Sequence, residues 1–116
     1  MTAEQQRIAI AEACGWTYTK TVKELPYGRA PEGKHPTMFG KEVSWDIPLP
    51  NYLNDLNAMR EAEHLLFSRK KPLWDSFAMH LCNIGYRGTT TIKYAIHATA
   101  AQRAEAFLRT LNLWKD

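Results

Sequence analysis

The sequence predicts a single-domain α/β/α sandwich of α/β or α+β class, with a small sheet of three or more strands covered by about four helices. Three observations predict it. Amphipathic segments with helix start signals recur along the chain, and short strand-prone segments fall between them. No repeat, low-complexity tract or linker divides the 116 residues, a length at which one domain buries a real core without disulfides or metals.

The first helix starts at Thr2, with Gln5 three residues on. This is a capping-box pattern, in which the two side chains satisfy amides that the first helical turn leaves unpaired. Ile8 with Ala11 and Ile10 with Cys14 give it a broad apolar face, Gly15 stops it, and "WTYTKTV" follows as a strand. From Glu24 to Glu42 the chain holds three of its six glycines and three of its six prolines, which reads as a long loop or a loose hairpin. "VSWDI" (Val43 to Ile47) is a short strand ended by "PLP". Asn51 is the expected N-cap of the helix "NYLNDLNAMREAEHLLF". A third helix runs from about Pro72 to Gly85. The strand "TTTIKYAIH" leads into a closing helix capped by Thr99 with Gln102.

Composition narrows the class of function. With 45% hydrophobic, 11% aromatic and 23% charged residues the chain is an ordered globular protein. Cys14 and Cys82 lack CxxC or CxxH spacing, which points to buried thiols in a reducing compartment. No apolar run reaches the roughly 20 residues of a bilayer span, and "MTAEQQR" is unlike a signal peptide, so a cytoplasmic protein with no membrane partner is expected. Net charge is +3 with a pI near 9.0, which permits an anionic partner without requiring one. The basic residues are dispersed apart from "RKK" at Arg69 to Lys71.

Three stretches, "IAIAEACGW", "WDIPLPNYLNDLNAMREAEHLL" and "ATAAQRAEAFLRTLNLW", together resemble the phage ABA sandwich domain family, small proteins of bacteriophages and prophages. They cover nearly half the chain, in order. The resemblance implies a helix, sheet, helix layering and a phage accessory protein made in the cytoplasm of the infected host. It transfers a fold and an origin, not a mechanism or catalytic residues, and no cofactor is expected. The loop from Glu24 to Glu42 and the segment from Ser68 to Tyr94 fall outside it.

Two ionisable groups fall on apolar stripes. On a wheel of 100° per residue, Glu63 lies among Tyr52, Leu56, Met59, Leu66 and Phe67, and His80 lies among Leu73, Phe77, Leu81 and Ile84. A buried charge needs a partner, so Glu63 and His80 are expected to meet, either as a structural hydrogen bond or as a weak candidate acid and base pair. Glu61 and His64 have the i, i+3 spacing of a carboxylate-bridged metal site. Such a site needs a second copy from another helix, and none is present, so no metal is expected.

The two junctions from strand to helix are the candidate ligand site. A helix beginning after Thr99 leaves free amides that attract phosphates or carboxylates, and His97, Thr99 and Arg103 complete an anion site there. At the other junction Trp45 and Tyr52 offer stacking surfaces, and Asn51 and Asn54 offer amides. Asp46 favours a sugar hydroxyl or a base over a second phosphate. If the two strands are parallel, both junctions open at one sheet edge. In this reading Arg103 is a surface residue whose replacement removes the ligand and leaves the melting temperature nearly unchanged. Glu105 and Arg109, at i, i+4, form a solvated ion pair.

These features point to a non-enzymatic phage accessory protein that sequesters a small anionic or nucleotide-derived ligand, in the manner of a counter-defence protein. The alternative is an adaptor or inhibitor that binds a host protein or nucleic acid through the long loop and the basic stretch, with Arg29, Lys34, His35 and Lys41 contributing. Nucleic acid is disfavoured, since no helix-turn-helix, finger spacing or dense basic face is present. An enzyme using Glu63 and His80 stands third. Small binding proteins often build sites across symmetric interfaces, so a homo-oligomer is expected.

Overall fold

The computed structural model describes residues 1–31, 37, 38, 40–42, 46–68, 73–85 and 98–116. The expected strand "TTTIKYAIH", with His97, lies outside them, as do Trp45, Lys34, His35 and the run Arg69 to Lys71. The described residues form four helices and a three-stranded antiparallel sheet, an α+β sandwich.

Helix α1 (Ala3–Ala13) is capped as its sequence predicts. Thr2 Oγ1 accepts the Gln5 amide at 3.2 Å, and the Gln5 side chain accepts the Thr2 amide at 2.9 Å. At its other end Gly15 takes φ +98°. The Gly15 amide returns to Glu12 and the Trp16 amide to Ala11, a Schellman stop that needs the left-handed conformation. Strand β1 (Thr17–Val22) then pairs with β2 (Leu25–Arg29), which occupies the first part of the expected loop. Val22 and Leu25 are register partners, so Lys23 and Glu24 make a two-residue turn, both at positive φ, 51° and 67°. Two short strands, β3 (Thr37–Met38) and β4 (Lys41–Glu42), pair with each other.

Strand β5 (Ile47–Pro48) begins at the last residue of the expected "VSWDI" strand, whose residues 43–45 lie outside the described residues, and pairs antiparallel with β2. The described strands all pair antiparallel, and the strand expected before the last helix lies outside the described residues. Gly28 sits where β2 is crossed closely. An added Cβ would meet Leu49 Cδ2 at 3.0 Å and the Thr17 carbonyl at 3.3 Å.

Helix α2 (Leu56–Ser68) starts four residues later than expected. Asp55, not Asn51, caps it: Asp55 Oδ1 accepts the amides of Asn57 at 3.0 Å and Ala58 at 3.3 Å. Asn51 closes the preceding turn, accepting the Asn54 and Asp55 amides on its carbonyl. Replacing Asp55 with alanine is expected to cost about 1 kcal/mol in urea denaturation, and Asn51→Ala less than half as much. Helix α3 is Trp74–Gly85 and α4 is Ala100–Thr110. Thr99 and Gln102 form the second capping box, with distances of 3.2 and 2.9 Å. A second Schellman stop, with Asn112 at φ +58°, ends α4.

Helix α4 is the centre of the molecule, in contact with α1, α2 and α3. Phe107 and Leu108 are fully buried, among Ile10, Met59, Leu66 and Phe77. Helix α1 in turn lies against β1 and β2, so the inner face of the sheet joins this core through Pro26, Gly28 and Leu49. Cys14 is half-buried and Cys82 buried, and they form no disulfide. Among the described residues no helix is long and apolar enough to cross a membrane.

Candidate functional site

The expected anion site at the start of α4 is differently built. Arg103 is buried, 8% exposed, and Nη1 donates to both oxygens of Glu63, at 2.9 and 3.1 Å. Spacing explains it: Arg103 lies three residues after Ala100 and four before Phe107, on the core stripe of α4, and Glu63 lies four residues after Met59 on that of α2. The guanidinium therefore neutralises a core carboxylate and does not face solvent. Glu63, for its part, meets Arg103 where His80 was expected, and His80 is half-buried on α3. Thr99 Oγ1 is taken by the Gln102 amide.

At the other junction Trp45 lies outside the described residues, Tyr52 turns inward, and Asn51 and Asn54 are exposed. Tyr52 is buried, its hydroxyl bonded to the Trp16 side chain, and burial pushes its ionisation well above the usual tyrosine range. The crevice it lines with Cys14, Trp16 and Pro50 has a volume of about 80 Å³, far below the roughly 300–1,000 Å³ of ligand pockets. The Asn54 side chain donates to Asn51 Oδ1 at 3.1 Å, so these two amides satisfy each other. Glu61 and His64 are exposed, and no group of three metal-ligating side chains gathers among the described residues. A larger groove, about 680 Å³, runs between α1 and residues 113–116, with Ile8, Ala9 and Leu113 in its lining. None of the expected ligand residues lines it.

The outer face of the sheet is where exposed chemistry gathers. Lys20 and Tyr27 are register partners, and Arg29 is two residues beyond Tyr27, so all three project from one face, opposite Pro26 and Gly28. Asp46, next to β5, joins them. Lys20 Nζ lies 2.6 Å from Asp46 Oδ2 and Arg29 Nε lies 3.3 Å from Oδ1. The Arg29 guanidinium also stacks on the Tyr18 ring, 4.4 Å from its centroid.

Tyr18 itself sits at a β-bulge between Thr17 and Lys20, with φ +53°, and is 70% exposed. A bulky aromatic in the left-handed region costs roughly 1–2 kcal/mol, and here that cost places the ring in water. Val22 and Leu25 are exposed at the other end of the hairpin, on either side of its turn. Arg29 is among the basic contacts, and Asp46 is the hydroxyl or base reader, that the sequence suggests, but nothing in it marks Tyr18. The alternation in "WTYTKTV" placed a strand there without revealing the bulge that turns Tyr18 outward.

The hydrogen bond from Lys20, aided by the charges of Lys20 and Arg29, holds the Asp46 carboxyl below the usual carboxylate range against an opposing desolvation effect. Its pKa is lower folded than unfolded. Its contribution to stability is thus complete above the unfolded value of about 3.9 and disappears as the pH falls from there through the depressed folded value. Acid titrations of stability for the wild type and Asp46→Asn should differ above pH 4 and converge below it.

No protein-family model matches this chain, and neither a curated protein nor a solved structure matches it.

Proposed function

We propose that the chain is a non-catalytic phage accessory protein that binds a nucleotide-like ligand through the outer face of its sheet, in the cytoplasm of an infected bacterium. The phage assignment rests on the resemblance to the ABA sandwich family. The chemistry rests on one observation: an exposed tyrosine on a strained bulge, with an arginine stacked on it and a second cation beside it. A nucleobase stacks on such a ring, and the cations answer its phosphate. A counter-defence role follows if the ligand is a signal nucleotide removed from the host. An open face alone leaves most of a small ligand wet, so two copies closing their faces over it make the homo-oligomer the fitting assembly.

Exposed Val22 and Leu25 favour a second reading, in which Tyr18 and Arg29 anchor a host protein, since tyrosine and arginine are enriched in interface hot spots. Glu63 and His80 offer little to an enzyme, because Glu63 is committed to Arg103.

The test is native mass spectrometry of protein purified from infected bacteria, as the wild type and as Tyr18→Gly. Glycine relieves about 1 kcal/mol of backbone strain and forfeits a cation–π contact of roughly similar size, so the melting temperature should hardly move. The wild type is expected to carry a nucleotide-sized mass that leaves on denaturation, and Tyr18→Gly to be bare. A bare wild type, or equal retention by both, overturns the reading.

A further inference from the structure

Two of the arginine–carboxylate pairs among the described residues, Arg103 with Glu63 and Arg29 with Asp46, differ in what opening them costs. Glu63 and Arg103 are sealed in the core, with side chains 7% and 9% exposed. Around Asp46 the side chains are 28% exposed for Asp46, 41% for Arg29 and 54% for Lys20, so water replaces the contacts at little cost. Each Asp46 oxygen holds one cation, Lys20 on Oδ2 and Arg29 on Oδ1. Two cations from neighbouring strands thus converge on one oxyanion group, beside the ring of Tyr18. A phosphate monoester presents oxygens at comparable spacing, carries up to twice the charge and brings a further acceptor. A neutral ligand has nothing to exchange for the carboxylate.

We infer that Asp46 is the specificity-determining residue of this face. It keeps Lys20 and Arg29 converged and yields them only to a group that outcompetes a carboxylate, so the face selects phosphorylated aromatic ligands over their unphosphorylated counterparts. This rests on the nucleotide-binding reading above. Asp46 is thereby an internal competitor of the ligand, which distinguishes it from a residue that merely braces the strands: removing its charge strengthens binding of the phosphorylated ligand alone.

The test is isothermal titration of the folded protein with adenosine 5′-monophosphate and with adenosine. The wild type is expected to prefer the monophosphate. Asp46→Asn should bind the monophosphate about three-fold more tightly, the scale of one exposed ion pair, with adenosine unchanged. Lys20→Gln, which removes a cation and keeps Asp46, should reduce the preference by a similar factor. If Asp46→Asn weakens the monophosphate, leaves it unchanged, or shifts both ligands equally, the inference fails while wild-type binding upholds the underlying reading. If the wild type takes neither ligand in the titration and carries none from infected cells, the reading itself fails and the inference with it.

Discussion

Replacing Arg103 with alanine is expected to cost about 3–5 kcal/mol of stability, because it leaves the Glu63 carboxylate buried without the cation that neutralises it. Glu63 is 5% exposed and takes two hydrogen bonds from Arg103 Nη1. A domain of this size has roughly 5–15 kcal/mol to lose, so the variant approaches unfolding at ambient temperature. This is the reverse of what a surface ligand contact would show. Arg103→Ala combined with Glu63→Leu removes the orphaned charge, and most of the loss should return, since a buried ion pair gains little over apolar residues of similar volume. Urea denaturation of the wild type, the single variant and the double variant checks both statements. A single variant as stable as the wild type would show that Glu63 reaches water in solution.

Phe107→Ala is expected to be comparably severe, about 3–5 kcal/mol. Phe107 is fully buried on the central helix, with α1, α2 and α3 around α4. Truncating the ring leaves a cavity bounded by three other helices, which can collapse only by moving the helix that organises them. Phe107→Leu keeps most of the volume and should cost roughly 1.5 kcal/mol or less. Neither change touches Tyr18, Arg29, Lys20 or Asp46, so any variant that remains folded should keep its ligand. Thermal melts with ligand occupancy measured on the same samples separate the two effects.

The helix ends were the most legible part of the fold. Both capping boxes, Thr2 with Gln5 and Thr99 with Gln102, and the stop at Gly15 are local chemistry, set within a few residues. The hairpin of β1 and β2 is only half legible: "WTYTKTV" reads as a strand, but its partner lies inside the stretch from Glu24 to Glu42 that reads as a separate long loop or loose hairpin. Its turn is Lys23-Glu24, two residues that reach positive φ without the Asn-Gly or Asp-Gly signature that announces such turns. Asn51 and Asp55 are both good caps by type, and the choice between them depended on where the chain leaves β5. Asn112, which stops α4 as Gly15 stops α1, went unread because asparagine marks a left-handed stop less clearly than glycine.

At the site, sequence reading saw that Glu63 lies on an apolar stripe and needs a partner, and it chose His80. Arg103 satisfies the same periodicity on α4, between Ala100 and Phe107. Reading it as a helix-start residue, next to a strong N-cap, hid that it belongs to the core. The sheet face was hidden for another reason. Lys20, Arg29 and Asp46 are far apart in sequence, and the antiparallel pairing of β2 with both β1 and β5 brings them together.

On the proposed reading the ligand lies on the outer sheet face and not at the start of α4. Hydrogen exchange followed by mass spectrometry, on protein loaded in infected cells and on the same protein after the ligand has been stripped, tests it most directly. Slower exchange at residues 17–29 in the loaded protein, with residues 99–103 unchanged, is the expected result. Protection at residues 99–103 with residues 17–29 unchanged would contradict it and return the site to the helix junction.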